Sequence, residues 1–138
     1  MQPLFSKFRS KEFQIKLWRD VAVHVAASWL GFYGMFYAFL SSQNKTAYGF
    51  IGEWWAALYI GYVFSVKATA AIPLMIFYAA VVVLCWYAGW NIIDYKGFDY
   101  LTPSQIMIIA LTRAMFYVSP IFVNTIVRTA LQAWEKRK

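Results

Sequence analysis

Few side chains in this sequence could carry out chemistry. There is one histidine, His24, one cysteine, Cys85, and six acidic residues. Catalysis by a nucleophile with its base, by a carboxylate pair or by a metal needs several such groups close together. Five of the acids fall in predicted tails or connections, and the sixth, Asp20, lies where a predicted apolar helix begins. The inventory predicts a protein that is not an enzyme and has no metal or organic cofactor.

Cations inside apolar sequence are a more specific feature. Lys67 and Arg113 are each flanked by long uncharged stretches, and a charge in the middle of a bilayer needs a partner. The predicted spans supply no acid for this purpose. We therefore expect a set of polar residues to bind lipid phosphates or carboxylates of partner subunits: Lys67, Arg113, Tyr117, Asn124 and Arg128. The last four lie within about 60° on one helix face, which leaves a water-filled path as an alternative use of that face.

Composition indicates the elements that must position these residues. The chain has 138 residues, of which 62% are hydrophobic and 14% charged, so it has too few charges to cover a soluble globule of this size. The expected fold is an all-α integral membrane protein. The net charge of +7 comes mostly from the two ends of the chain. Beside membrane helices, the expected partners of these ends are anionic lipids rather than nucleic acid.

The longest uncharged stretch, 68–93, exceeds the roughly 20 residues that a helix needs to cross a bilayer. Spans are predicted at about 21–43, 54–90 and 103–131, within one membrane domain of residues 20–134. Residues 1–19 are predicted to form a basic interfacial segment, with Ser10 as a possible helix cap, and 135–138 a basic tail. No cluster of turn-forming residues interrupts 64–69, so one long helix from about Glu53 to Trp90, bent near Pro73, is expected. A split near Lys67 would give four spans instead of three, which basic residues at both ends would favour.

Local signals predict two further features of the third span. Thr102, Pro103 and Gln105 have the pattern of a capping box with proline at the first helical position. Pro120 is expected to kink the helix that follows.

Small residues predict where helices approach each other closely. They recur on one face of the first span, at Ala27, Gly31, Gly34 and Ala38. His24 lies on the same face. We expect it to hydrogen-bond a neighbouring helix rather than ligate a metal or haem, because the chain has no second histidine.

A set of short matches adds a resemblance to a known family. The matching residues are Val23-His24, Ser28, the aromatic-rich 32–37 with Ala38, then Tyr62 and Lys67-Ala68-Thr69. Through them, residues 21–73 resemble a mitochondrial inner-membrane family with a two-helix domain of undefined function. The resemblance implies a helical hairpin without a catalytic centre and a location in the mitochondrial rather than the bacterial inner membrane. This chain differs by lacking an arginine soon after Lys-Ala-Thr and by having a further span.

Two classes of function remain open from the sequence. The first is a non-catalytic accessory subunit of a larger membrane complex, such as the ATP synthase or a respiratory-chain complex, that contributes helix packing and binds phospholipid such as cardiolipin. Small-residue faces, aromatic residues and the isolated cations all favour partners. The alternative is a small homo-oligomeric pore, a holin-like protein or a carrier that uses the face of Arg113, Asn124 and Arg128.

Overall fold

Helices make up the fold. The structure, a computed structural model, describes residues 10–92 and 96–137. In these ranges there are four α-helices and no strand: α1 Lys11–Ala38, α2 Lys45–Val63, α3 Ala71–Ala88 and α4 Pro103–Arg137, with short 3₁₀ turns at Ala68–Ala70 and Phe98–Tyr100. The predicted all-α class is confirmed. Three helical segments, those of 11–38, 68–88 and 103–137, are long and apolar enough to cross a membrane.

The helices run up and down in sequence order. α1 pairs with α2 and α3 pairs with α4, while α2 also packs on α4. The antiparallel course of α1 and α2 is visible at both ends of the pair. Near one end Arg19 donates to the carbonyl of Phe64 at 2.8 Å, and near the other the rings of Phe39 and Tyr48 stack at 4.2 Å. Because the directions alternate, the described beginning and end of the chain lie at the same end of the bundle.

Apolar side chains hold α3 against α4 in two layers. One layer centres on Leu74, Val118 and Ile121, and the other on Val82, Ile106 and Ala110. All of these residues are at most 1% exposed. Burial of such side chains contributes about 1.5–3 kcal/mol each, so this hairpin has a core of its own.

The predicted single helix from 53 to 90 is wrong, because the chain turns between α2 and α3. α2 ends in a Schellman motif in which Ser65 adopts a left-handed conformation with φ 57°, and Val66 N donates to Gly61 O at 2.9 Å. The backbone N–H of Lys67 then donates to Asp20 Oδ2 at 3.1 Å. Pro73 lies in the first turn of α3 and bends no longer helix.

The predicted boundary between an interfacial segment and a first span is also wrong over the described residues. α1 begins at Lys11 and continues to Ala38, so residues 11–19 are its first turns. Ser10 caps it, accepting from Phe13 N at 3.5 Å. Residues 1–9 and 138 lie outside the described ranges.

The predicted start of the last span is confirmed. Thr102 N donates to Gln105 Oε1 at 2.9 Å, and Gln105 N donates to Thr102 Oγ1 at 3.3 Å. These two bonds complete a capping box ahead of Pro103. The helix then continues to Arg137, with Pro120 inside it, and therefore extends beyond the predicted span end at 131.

Half of the small-residue face predicted on α1 packs against α2. A Cβ atom built on Gly31 would lie 2.3 Å from the carbonyl oxygen of Gly52 and 2.5 Å from Ala56 Cβ, so the two backbones touch here. Ala27 is 2% exposed. The prediction is wrong for Gly34 and Ala38, which are exposed, because α2 crosses α1 at Gly31 instead of following the whole face.

The crossing at Gly31 gives a matched pair of substitutions. Gly31→Ala should lower the free energy of unfolding by about 1–3 kcal/mol, because the added methyl group meets backbone that can move only with its helix. Gly34→Ala should leave it unchanged or raise it by up to about 1 kcal/mol, since its Cβ would meet nothing within 4 Å. Denaturation of both purified variants in mixed micelles measures the difference. Equal effects of the two substitutions would contradict the crossing.

Candidate functional site

Polar side chains from all four helices meet between the helices, around the proline of α4. Pro120 has no N–H to donate to the carbonyl of Phe116, one turn earlier. That carbonyl instead accepts a hydrogen bond from Ser119 Oγ at 2.6 Å. The next carbonyl, of Tyr117, accepts from His24 Nε2 of α1 at 3.0 Å. Side chains thus satisfy backbone groups that the proline exposes, as an apolar environment requires.

Tyr117 is the centre of this polar cluster. Its hydroxyl is hydrogen-bonded to Ser28 Oγ at 2.8 Å, and its ring stacks on Tyr78 of α3 with centroids 4.6 Å apart. The His24 ring meets it edge-on at 4.7 Å. His24 is 1% exposed, and its Nδ1 has no hydrogen-bond partner among the described residues. One side chain therefore joins α1, α3 and α4.

A carboxylate and a guanidinium add charge to the cluster. Glu53 lies inside α2, and its charge interacts with that of Arg113 on α4 and with the hydroxyl of Tyr78. Arg113 also covers the ring of Phe50, with its guanidinium carbon 4.7 Å from the ring centroid. The expectation that the spans supply no acid to Arg113 is therefore wrong, because Glu53 belongs to a helix and not to a connection.

The remaining polar residues of α4 contact α2. Asn124 Nδ2 donates to the carbonyl of Leu58 at 3.0 Å, and Arg128 donates to the carbonyl of Tyr62 while its guanidinium covers the Tyr62 ring. One turn before Asn124, Ser119 accepts a hydrogen bond from Trp54 Nε1 at 2.7 Å. The predicted polar face of Arg113, Tyr117, Asn124 and Arg128 is present, and other helices of the same chain cover it.

Lys67 lies apart from this cluster. It was predicted to lie far inside a span, but the break between α2 and α3 places it in a turn, where it is exposed. Its neighbours are Arg19 and Asp20 near the start of α1. The structure therefore separates Lys67 from the four residues of α4 with which it was grouped.

Two acids important to this arrangement were missed as site residues. Glu53 follows Gly49 and Gly52, which suggest a loop, yet these glycines let α1 pack closely on α2: a Cβ on Gly49 would meet the Phe32 ring at 2.8 Å. Asp20 is 3% exposed and binds Arg19 Nη2 at 2.7 Å. A buried acid at the edge of an apolar run was the available signal.

The cluster has hydrogen-bonding groups but no arrangement for a nucleophile and its base. Among the described residues, no three His, Cys, Asp or Glu side chains are placed to hold a metal ion. Most of its polar atoms bond to another helix. The chemistry that this geometry supports directly is the joining of helices.

Comparison of the chain with protein-family models, with curated proteins and with solved structures gives no match.

The bond between Ser28 and Tyr117 can be measured by a double-mutant cycle. Tyr117→Phe keeps both ring contacts and removes the hydroxyl, and Ser28→Ala removes its partner. Each single variant should be destabilised by about 0.5–1.5 kcal/mol, and the double variant should lose less than the sum by about 0.6 kcal/mol, as interhelical bonds in membrane proteins do. Unfolding in mixed micelles measures all three. Additive losses would contradict the bond.

Proposed function

We propose that this chain is a non-catalytic accessory subunit of a larger membrane protein complex. In this role its helices insert into the bilayer, and the chain contributes packing surface and lipid contacts to the assembly. The observation that carries the proposal is the covered polar face of α4. Arg113, Asn124 and Arg128 interact with α2 of the same chain, so they are used in holding the fold together.

The same observation weighs against the competing function of a small pore or carrier. A water-filled path along α4 would need these polar groups to face an opening. α2 stands in that place, with its backbone carbonyls accepting from Asn124 and Arg128. A path would require α2 to leave α4 and break these bonds.

The outer surface favours association within a membrane. Large apolar and aromatic side chains are exposed on the helices, and four of them border an open groove of about 420 Å³ beside Gly34 on α1: Trp29, Leu30, Tyr33 and Tyr37. A soluble monomer rarely exposes so much apolar surface in one place. Lipid tails or a helix of another subunit would cover it without cost.

The resemblance of residues 21–73 supports the compartment. It suggests the mitochondrial inner membrane, and an energy-converting complex such as the ATP synthase or a complex of the respiratory chain is the class of assembly we propose. Cardiolipin and other anionic phospholipids are the proposed lipid partners.

Blue-native electrophoresis tests the proposal. A tagged chain, solubilised mildly from its native membrane, should comigrate with a heteromeric complex much larger than its own 16.0 kDa. Gly34→Leu, which fills the open groove without meeting an atom of this chain, should reduce the comigrating fraction several-fold. Ala80→Leu, at an exposed position of α3, is the matched control and should not.

The competing function predicts a different result. A ladder of homomers, together with ion or solute flux through vesicles that contain only the purified chain, would refute the accessory-subunit proposal. The pore would then take its place.

A further inference from the structure

A second site lies at the end of the bundle where both described termini are. It is a groove of about 560 Å³ between the first turns of α1 and the turn that joins α2 to α3. The volume is in the range of ligand sites. Cationic, hydroxyl-bearing and apolar side chains all line it, and the cluster around Tyr117 contributes no residue to it.

The cations of this groove are not used up by the fold. Lys16, Arg19 and Lys67 line it together with the acids Glu12 and Asp20. Asp20 is occupied, since one oxygen accepts from Arg19 and the other from the Lys67 backbone. Within 10–92 and 96–137, the ammonium groups of Lys16 and Lys67 have no hydrogen bond or ion pair. Glu12, one turn before Lys16, offsets part of the charge, and the groove remains cationic.

Hydroxyl and apolar groups complete the lining. Ser65 and Thr69 place hydroxyl groups beside the cations, and Phe13, Leu17 and Phe64 form apolar walls. Phosphate oxygens accept from hydroxyl and ammonium groups, whereas apolar walls suit an acyl chain. A ligand with an anionic head and an apolar tail therefore matches the lining along its whole length.

The shape of the groove is set before any ligand arrives. The left-handed Ser65 turns the chain back toward α1, and Asp20 and Arg19 hold this turn through bonds to Lys67 N and Phe64 O. Because the fold itself holds the turn in place, a ligand would not have to order it, which lowers the cost of binding.

The position of the groove identifies the source of the ligand. The described cations are concentrated at this end of the bundle: Lys11, Lys16, Arg19, Lys67, Arg128, Lys136 and Arg137. The opposite end has Lys45 and Lys96. In a membrane, an end with this excess of cations faces the side that retains positive charge and attracts anionic lipid.

We propose that this groove binds one anionic phospholipid, with its phosphate between Lys16 and Lys67 and its acyl chains along Phe13, Leu17 and Phe64. The proposal rests on the membrane insertion in the function proposed above, but not on the identity of the complex. The lipid would join α1 to the turn after α2, at the point where the predicted long helix is broken.

Lipid retention by the purified full-length chain tests this site. Native mass spectrometry of the protein extracted from nanodiscs should show one bound phosphatidylglycerol or cardiolipin, and no comparable retention of phosphatidylcholine. Lys16→Gln combined with Lys67→Gln should weaken retention about thirtyfold, at about 1 kcal/mol for each lysine. Lys136→Gln combined with Arg137→Gln is the matched control, with the same change of charge at the same end of the bundle, and should retain the lipid.

Further arms keep the test decisive. Lys16→Arg combined with Lys67→Arg should restore binding, so a folding defect cannot imitate the loss. Millimolar inorganic phosphate should not displace the lipid; displacement would assign the site to a free phosphate and overturn the proposal. Equal loss in the test and control variants, or equal retention of phosphatidylcholine, would also overturn it. Electrophoresis of the native complex is a separate readout, so failure of the lipid site and failure of the subunit proposal are distinguishable.

Discussion

Side chains that donate hydrogen bonds to the backbone carbonyls of another helix determine the arrangement of this bundle. The carbonyls near the end of α2 accept from both neighbours: Asn124 and Arg128 of α4 bond to Leu58 and Tyr62, and Arg19 of α1 bonds to Phe64. An apolar surround leaves a polar group no water to bond. These pairs therefore fix both the depth and the rotation of α2, the least apolar helix that the structure packs between longer ones.

Signals contained in a few adjacent residues were predicted from the sequence. The capping box at Thr102 needs only its own four residues, and it forms as expected. The turn at Ser65 was missed because its cause is distant. No glycine marks the left-handed position, and the strain of about 1–2 kcal/mol is offset by Asp20 and Arg19, 45–47 residues earlier in the chain.

The polar site was predictable in part for the same reason. Helical periodicity places the polar residues of α4 on one face, which the structure has. Their partners could not be identified without knowing which helix lies against that face. Glu53 escaped notice because the glycines beside it suggested a loop, whereas the fold uses Gly52 to bring α2 against Gly31 of α1. A glycine has the same appearance in sequence when it permits a turn and when it permits contact.

The turn after α2 also removes a conflict between charge and helix number. Three helices in alternation would place the basic ends of the chain on opposite sides of a membrane, against the tendency of such ends to stay on one side. With α2 as a separate helix of 19 residues, about 28 Å long, the chain alternates four times and its described ends meet. The same turn brings Lys67 beside the start of α1 and so adds its charge to that end. A single local break therefore sets the number of crossings, the distribution of cations and the groove between α1 and the turn.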